Sequence, residues 1–169
     1  MKLLGLVLAG GQSRRFGSDK ALALHQGRPL IDHALAGLYP FVADLAVVGR
    51  DWPGVRRIED APRPGLGPLG GLLGGLSVAE AQGYDAVLTC GCDTLGLTAD
   101  HVAALSPGPA VLADVPIVGL WPSHLGGALA EWMAQTDRHS VYAFADHIGA
   151  RRIAAALPPR NINRPEDLI

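Results

Sequence analysis

The sequence has few of the features that mark secreted, membrane-spanning or nucleic-acid-binding proteins. No apolar stretch approaches the roughly 20 residues that a membrane-spanning helix needs. The apolar run near Met1 is too short for a secretory signal and leads at once into glycines and arginines. No basic run exceeds two residues and the formal net charge is −2, which argues against a nucleic-acid partner. We therefore expect a cytoplasmic protein that binds neither a membrane nor a nucleic acid.

Cysteine is also scarce, with Cys90 and Cys92 as the two examples. A strand would point both side chains to the same face, a poor geometry for a disulfide between them. A structural zinc site would need four ligands, and no second pair is found. We interpret both as buried thiols. The six histidines show no ligand spacing and are interpreted as surface or structural imidazoles.

Apolar segments with strand and helix periodicity alternate along the chain. The strand-like runs are 2–8, 44–48, 55–58, 84–90, 110–113 and 117–121. Helical stripes follow at 30–38, 69–76 and 125–133. Several strand-like runs are apolar on both faces, which is typical of a parallel sheet covered by helices on both sides. The sequence therefore predicts one α/β domain over residues 1–169, with a mostly parallel central sheet in three layers.

The first strand-like run leads into "LAGGQSRRFGSDKAL", residues 8–22. Glycines such as Gly10, Gly11 and Gly17 let backbone N–H groups approach and surround phosphate oxygens. Arg14 and Lys20 supply the cations that a triphosphate requires. The alternative is an ordinary strand-to-helix turn with solvated charges. The stretch lacks the spacing of a P-loop or of a dinucleotide-binding motif. A GxGxxG at 65–70 follows no strand, and we interpret it as a turn into the next helix.

The same stretch resembles the LAGGxSxRxGxDKxL signature of the molybdenum cofactor guanylyltransferases, the MobA-type members of the nucleotidyltransferase family. The similarity continues in "IED" at 58–60, "GPLGG" at 67–71, "CDT" at 92–94, "GLWP" at 119–122 and "NINRPEDL" at 161–168. It thus covers essentially the whole chain. The resemblance implies a three-layer, Rossmann-like nucleotidyltransferase fold. It also implies transfer of GMP from GTP to molybdopterin or Mo-molybdopterin, which forms molybdopterin guanine dinucleotide and releases pyrophosphate.

Asp93 follows the apolar run at 84–90 and is the candidate metal ligand. In an open parallel sheet, its carboxylate lies on the same edge as the glycine-rich loop. A carboxylate there can hold Mg²⁺ against phosphate oxygens, although it could instead cap the following turn. The resemblance identifies Asp93 as the Mg²⁺ ligand. Arg14, Lys20 and Asp93 are the predicted catalytic residues, with Arg14 and Lys20 on the phosphates.

The resemblance also implies a wider set of nucleotide-binding residues. They are Leu8, Ala9, Gly10, Gly11, Lys20, Asp60, Gly67, Pro68, Leu69, Asp93, Asn161 and Asn163. The base would be selected at 67–71, and the two asparagines would lie near the metal and the pterin. Asp60 also fits a solvated acid in a proline-rich loop, and the asparagines fit turn residues before Pro165.

Three positions depart from the family pattern: Gly49 replaces a frequent asparagine, Leu95 a proline, and Arg164 a threonine. A cytidylyltransferase acting on the same pterin, a non-catalytic nucleotide-binding protein and a sugar-phosphate nucleotidyltransferase are the alternatives. "LAGG" and "GPLGG" favour guanine over cytosine. The expected partners are GTP and molybdopterin, with transient contacts to molybdenum insertion proteins or target molybdoenzymes.

Overall fold

A seven-stranded sheet runs through the middle of the protein, in a computed structural model that describes residues 1–9 and 19–168. The strands of these residues are β1 Leu3–Leu8, β2 Leu24–His25, β3 Arg28–Pro29, β4 Asp44–Val48, β5 Arg56–Ile58, β6 Ala86–Gly91, β7 Thr94–Leu95, β8 Ala110–Leu112, β9 Gly119–Pro122, β10 Arg151–Ile153 and β11 Arg160–Asn161. The α-helices are α1 Leu30–Leu38, α2 Gly67–Ala81, α3 Ala99–Leu105, α4 Gly126–Gln135 and α5 Val141–His147.

The large sheet has the strand order β10-β8-β9-β6-β1-β4-β5. Strand β9 runs antiparallel to its neighbours β6 and β8, whereas the other pairings in this sheet are parallel. The predicted mostly parallel sheet is therefore confirmed. Its central strands are buried because helices cover both faces, so β1 is apolar at every position except Gly5.

Two apolar clusters, one on each face of the sheet, make the three layers. On one face, Leu4 and Leu6 of β1 pack with residues of α2, α4 and α5 such as Leu76 and Phe144. On the other face, Leu3 and Val7 pack with residues of α1 and α3, including Leu38 and Leu105. Alternate residues of one strand thus contribute to opposite layers, as the period of a β-strand requires. The predicted three-layer α/β class is confirmed.

Two short antiparallel ribbons lie outside the large sheet. Strands β2 and β3 form a hairpin, and β7 pairs with β11 near the end of the described chain. The hairpin follows Lys20 and the β7–β11 ribbon follows Asp93, so each ribbon extends from a predicted site residue. Within residues 1–9 and 19–168, no helix combines the length and the apolar character needed to cross a bilayer.

Candidate active site

A cavity of about 690 Å³ opens at the carboxyl ends of β1, β4, β5 and β6. Ligand sites in open α/β sheets lie at this edge, because the loops that leave parallel strands converge there. Of the predicted nucleotide-binding and catalytic residues, those that line the cavity are Leu8, Ala9, Lys20, Asp60, Gly67, Pro68 and Asp93. The fold therefore brings most of the predicted set within the described chain to one place.

The other predicted residues are placed differently. Leu69 is fully buried in the core beneath the cavity, so its side chain is a packing residue. Asn163 is exposed, and its backbone N–H donates to the Asp167 carboxylate. Asn161 lies in β11 beside Thr94 rather than in the cavity wall. The predictions for Gly10, Gly11 and Arg14 lie outside the described residues.

One end of the cavity holds an ion pair between Lys20 and Asp93. Lys20 Nζ lies 3.0 Å from Asp93 Oδ2, and the two side chains are 19% and 13% exposed. These residues are separated by 73 positions in the chain. The pair is mostly shielded from solvent, so its charges interact more strongly than a surface pair would.

The turn after β6 fixes the Asp93 carboxylate. The Gly91 backbone N–H donates to Thr94 Oγ1 over 3.1 Å and closes the turn. A Cβ atom at Gly91 would lie 2.5 Å from Asp93 Oδ1, so a side chain there would displace the carboxylate. The backbone carbonyl of Asp93 accepts from the Ile162 N–H over 3.0 Å, which ties the turn to the C-terminal ribbon. Glycine at 91 thus keeps the space that the carboxylate occupies.

Four charged groups surround the thiol of Cys92, namely Asp93, Lys20, Arg50 and Asp19. Burial, followed by the charge of Asp93, raises the pKa of Cys92 to about 12, so the thiol is protonated at neutral pH. It cannot serve as a thiolate nucleophile. Cys90 is fully buried within the sheet, whereas Cys92 lines the cavity. Both cysteines pack in the apolar cluster that contains residues of α1 and α3, with Cys90 buried and Cys92 partly buried.

Asp60 and the start of α2 form the opposite end of the cavity. The Gly65 N–H donates to the Asp60 carboxylate, and the Ala61 N–H donates to the Gly70 carbonyl over 3.0 Å. Burial raises the pKa of Asp60, while the hydrogen bond from Gly65 opposes that shift. Gly65 and Gly67 have φ values of +82° and +71°, a backbone conformation that favours glycine. The GxGxxG at 65–70 therefore contains the predicted turn into α2 and the first four residues of that helix.

Glycines on α2 bring this helix close to the sheet. A Cβ at Gly74 would lie 2.0 Å from the backbone oxygen of Glu59, and one at Gly71 would lie 2.8 Å from Leu8 Cδ2. At Gly74 a side chain would require the Glu59 backbone to move, whereas at Gly71 it would displace the end of the Leu8 side chain. The helix therefore fixes the segment that carries Asp60, through direct contact with the residue before it.

Oxygen donors near Asp93 fit a hard divalent cation such as Mg²⁺. Asn161 Oδ1 is buried, and within the described residues it has no hydrogen-bond partner. Its backbone pairs with Thr94, which follows Asp93. Carboxylate and amide oxygens suit a hard cation. The described residues contain no cluster of three histidine, cysteine or acidic side chains that could hold a metal by themselves. A cation here would need ligands from a substrate, as phosphate oxygens provide.

Sequence reasoning missed several residues of the cavity wall. Arg57 and Glu59 line it, and Arg57 Nε lies 2.7 Å from Glu59 Oε1. Ile117 contributes from the segment before β9. Arg57 and Glu59 alternate with buried Ile58 at the end of an edge strand. That alternation, at the carboxyl end of a strand, is the signal that could have identified them.

Comparison with known proteins gives consistent matches. Residues 5–150 match the family described as MobA-like NTP transferase domain. A molybdenum cofactor guanylyltransferase of Acidiphilium cryptum is 36% identical over 98% of this chain and 92% of that protein. A protein of the same name from Cereibacter sphaeroides is 37% identical over 99% of this chain and 94% of its own length.

Solved structures agree with the fold. Molybdopterin-guanine dinucleotide biosynthesis protein A of Archaeoglobus fulgidus superposes with a TM-score of 0.72 at 18% identity, covering 98% of this chain and 94% of that one. A 2-C-methyl-D-erythritol 4-phosphate cytidylyltransferase of Thermus thermophilus gives 0.66 at 15% identity, covering 99% and 95%. The family match, the full-length relatives and the shared fold lead to one conclusion: this chain belongs to the MobA-like NTP transferase family and is a nucleotidyltransferase.

Proposed function

We propose that this protein transfers GMP from GTP to molybdopterin, in its free or molybdenum-loaded form, in the cytoplasm. A terminal phosphate oxygen of the pterin attacks the α-phosphorus of GTP and forms a new P–O bond. The bond between the α-phosphorus and the bridging oxygen breaks, and pyrophosphate leaves with the electron pair. The names of relatives that are 36% and 37% identical support this choice of substrates.

The observation that carries the proposal is the shielded Lys20–Asp93 pair in a cavity at the carboxyl edge of the sheet. The attacking phosphate is already anionic at neutral pH, so the reaction demands no general base. The difficulty is the repulsion between two anions, which positioning and positive charge must overcome. Lys20 would contact the triphosphate and place its charge beside the α-phosphate.

Asp93 would hold Mg²⁺, with Asn161 as the additional oxygen donor near it. Bound there, the cation would neutralise charge on the α-phosphate and on the departing pyrophosphate. Because Lys20 contacts Asp93 at 3.0 Å, the lysine side chain has to share or leave that carboxylate when a cation binds. The triphosphate offers Lys20 an alternative partner, so we expect nucleotide and metal to bind together.

Asp60 would select guanine at the other end of the cavity. The N1–H and N2 amino group of guanine are neighbouring donors, and a carboxylate can accept from both. Cytosine presents an acceptor at the equivalent ring nitrogen, which a carboxylate would repel. The Gly65 N–H bond to Asp60 holds the carboxylate in place and favours its charged form.

A thermal-shift panel tests nucleotide and metal use together. The parent protein is heated with GTP, CTP, ATP or UTP, each with and without Mg²⁺, and GMP transfer to molybdopterin is followed by chromatography. We expect the largest rise in Tm with GTP and Mg²⁺, because a ligand that binds only the folded state stabilises it. Equal shifts with CTP would overturn the guanine assignment, and nucleotide binding without transfer would indicate a non-catalytic protein.

A further inference from the structure

A second cavity, of about 440 Å³, lies between the β2–β3 hairpin and the β7–β11 ribbon. Its wall includes Gln26, Leu95, Thr98, Leu157 and Arg160. None of them lines the nucleotide cavity. The volume falls within the range of roughly 300–1,000 Å³ that small-molecule sites occupy.

The two segments that form the walls of this cavity directly follow Lys20 and Asp93 in the chain. Lys20 is followed by the hairpin, and Asp93 is followed by Leu95 in β7, which pairs with Arg160. Two residues of extended chain span about 7 Å. A molecule whose phosphate lies at Asp93 can therefore reach Leu95 with a part of its body that is about five or six bonds further away. The second cavity therefore lies where the rest of an acceptor would be placed if its phosphate were bound at Asp93.

The hairpin is fixed on α1. The His33 ring nitrogen Nε2 lies 2.6 Å from the His25 carbonyl oxygen, and the two imidazole rings meet edge to face with centroids 5.2 Å apart. This contact keeps the hairpin against the helix, so its tip has a defined position. The wall that carries Gln26 is therefore preorganised, which lowers the entropic cost of binding.

Gln26 occupies an unfavourable backbone conformation at that tip. Its φ is +53°, and it has the sole positive φ among the non-glycine residues of the described chain. The next residue, Gly27, has φ +77°. A two-residue hairpin turn with both φ values positive strongly prefers Asn-Gly, Asp-Gly or Gly-Gly. Glutamine there costs stability, and strain of this kind concentrates at functional sites. The tip of the hairpin thus carries a longer side chain than its backbone conformation favours.

The chemistry of the wall suits a flat heterocycle. Leu157, which is 84% exposed, offers apolar surface, and the largely buried Leu95 lines the wall beside it. The Gln26 amide provides one acceptor and two donors side by side, which match the alternating polar atoms of a heterocycle edge. The Arg160 guanidinium, which donates to the Asp167 carbonyl, adds positive charge at the same wall. Apolar faces with a few directed polar groups are typical of such sites.

We propose that the second cavity binds the heterocyclic body of the phosphorylated acceptor, with Gln26 as its specificity-determining contact. The inference rests on the proposed function, because it takes the acceptor phosphate to react at Asp93. It assigns the two substrates to separate cavities that meet at the Lys20–Asp93 pair. GTP binding should therefore be independent of Gln26.

The variant Gln26→Gly tests this assignment. Removing the side chain relieves the left-handed backbone, so Tm should stay unchanged or rise. The KM for molybdopterin should rise roughly tenfold, which corresponds to about 1.4 kcal/mol of lost binding. Affinity for GTP with Mg²⁺ should not change. Gln26→Asn keeps the amide on a shorter stem and should lie between parent and Gln26→Gly. Arg28→Ala, at an exposed residue of the same hairpin, is the matched control and should retain the parental KM.

Two readouts separate this inference from the proposed function. Molybdopterin affinity is measured without nucleotide by pterin fluorescence, and GMP transfer is measured separately. Parental affinity and KM in Gln26→Gly would overturn the cavity assignment. A parent that binds molybdopterin through Gln26 but transfers no GMP would support the cavity and overturn the proposed function.

Discussion

The cavity in which we propose that GTP binds has a reaction end and a base end, and the two are built in different ways. At the reaction end, a shielded ion pair between Lys20 and Asp93 supplies charge in a turn shaped by Gly91. At the base end, Asp60 is positioned by the close approach of α2 and by backbone hydrogen bonds. One end depends on charge and the other on packing. Changing a charge at the reaction end should abolish GMP transfer while the protein stays folded. Adding side-chain volume at the base end should lower both the stability of the fold and the affinity for GTP.

Asp93→Ala should have the largest effect. Loss of the carboxylate removes the proposed metal ligand, and we expect Mg²⁺-dependent GMP transfer to fall by about 100-fold or more. The circular dichroism spectrum should match that of the parent, because the backbone carbonyl that ties this turn to Ile162 is retained. Asp93→Asn, which keeps the shape but not the charge, should be similarly inactive. Parental turnover in either variant would remove Asp93 from the mechanism.

Gly74→Ala should have the second largest effect and act at the base end. Its Cβ would meet the Glu59 carbonyl oxygen at 2.0 Å, so α2 or the Asp60 segment must move. Overpacking of this kind costs about 1–3 kcal/mol, measured as the free energy of unfolding in urea. GTP affinity should fall as well, while kcat at saturating GTP changes little.

The matched control is Gly127→Ala in α4. A Cβ at Gly127 would meet no atom within 4 Å. This variant should be neutral or more stable by about 0.4–1 kcal/mol, because alanine lowers the entropy of the unfolded chain. Equal destabilisation by the two substitutions would show that packing at Gly74 has no special role at the base end.

Asp60→Asn should change the stability of the fold least. It should raise stability slightly, whereas Gly74→Ala lowers it. The pKa of Asp60 is raised by burial, so the folded protein binds this proton more tightly than the unfolded chain does. The contribution of Asp60 to the free energy of unfolding therefore falls as the pH rises from 3.8, its ordinary pKa, through the raised pKa that it has in the folded protein. Above that window the buried charge lowers stability, and asparagine should raise Tm slightly at neutral pH.

The same Asp60→Asn substitution should weaken GTP binding roughly tenfold, since a charged acceptor is lost. Calorimetric titration with GTP and Tm measured from pH 3 to pH 8 check the two effects. The gain in Tm should disappear at the acid end, where the parent carboxyl is protonated. A gain that persists there would mean that Asp60 is not the titrating group.

Sequence patterns predicted the longer helices and every strand of the large sheet except β10, but they missed the short helices. The stripe at 30–38 and the run at 44–48 coincide with α1 and β4, because each has several apolar residues at one period. Helices α3 and α5 were missed. Each has seven residues, and their N-termini are capped by Thr98 and Ser140. The capping side chain and tertiary packing stabilise such helices more than any periodic pattern does.

The sequence predicted the residue types of the candidate site and the sheet edge at which they lie, but not which side chains of each motif line the cavity. Lys20 and Asp93 were identified from a glycine-rich loop and a strand end, and they do meet at 3.0 Å. Leu69 belongs to the same motif as Gly67 and Pro68, yet its side chain lies in the core. The helical period decides which of three adjacent residues faces the cavity, and the exact start of α2 was not predictable.

The sequence by itself determined the class of fold, because apolar runs on a period of two alternate with stripes on a helical period. It also determined the chemistry available at each strand end. Only the tertiary structure decided which ends meet: Lys20 and Asp93 are 73 residues apart, and Gln26 and Leu157 share a cavity across most of the chain. The reason is that such contacts depend on parallel strand order and on the closeness that residues such as Gly74 allow, and neither is a property of any local segment.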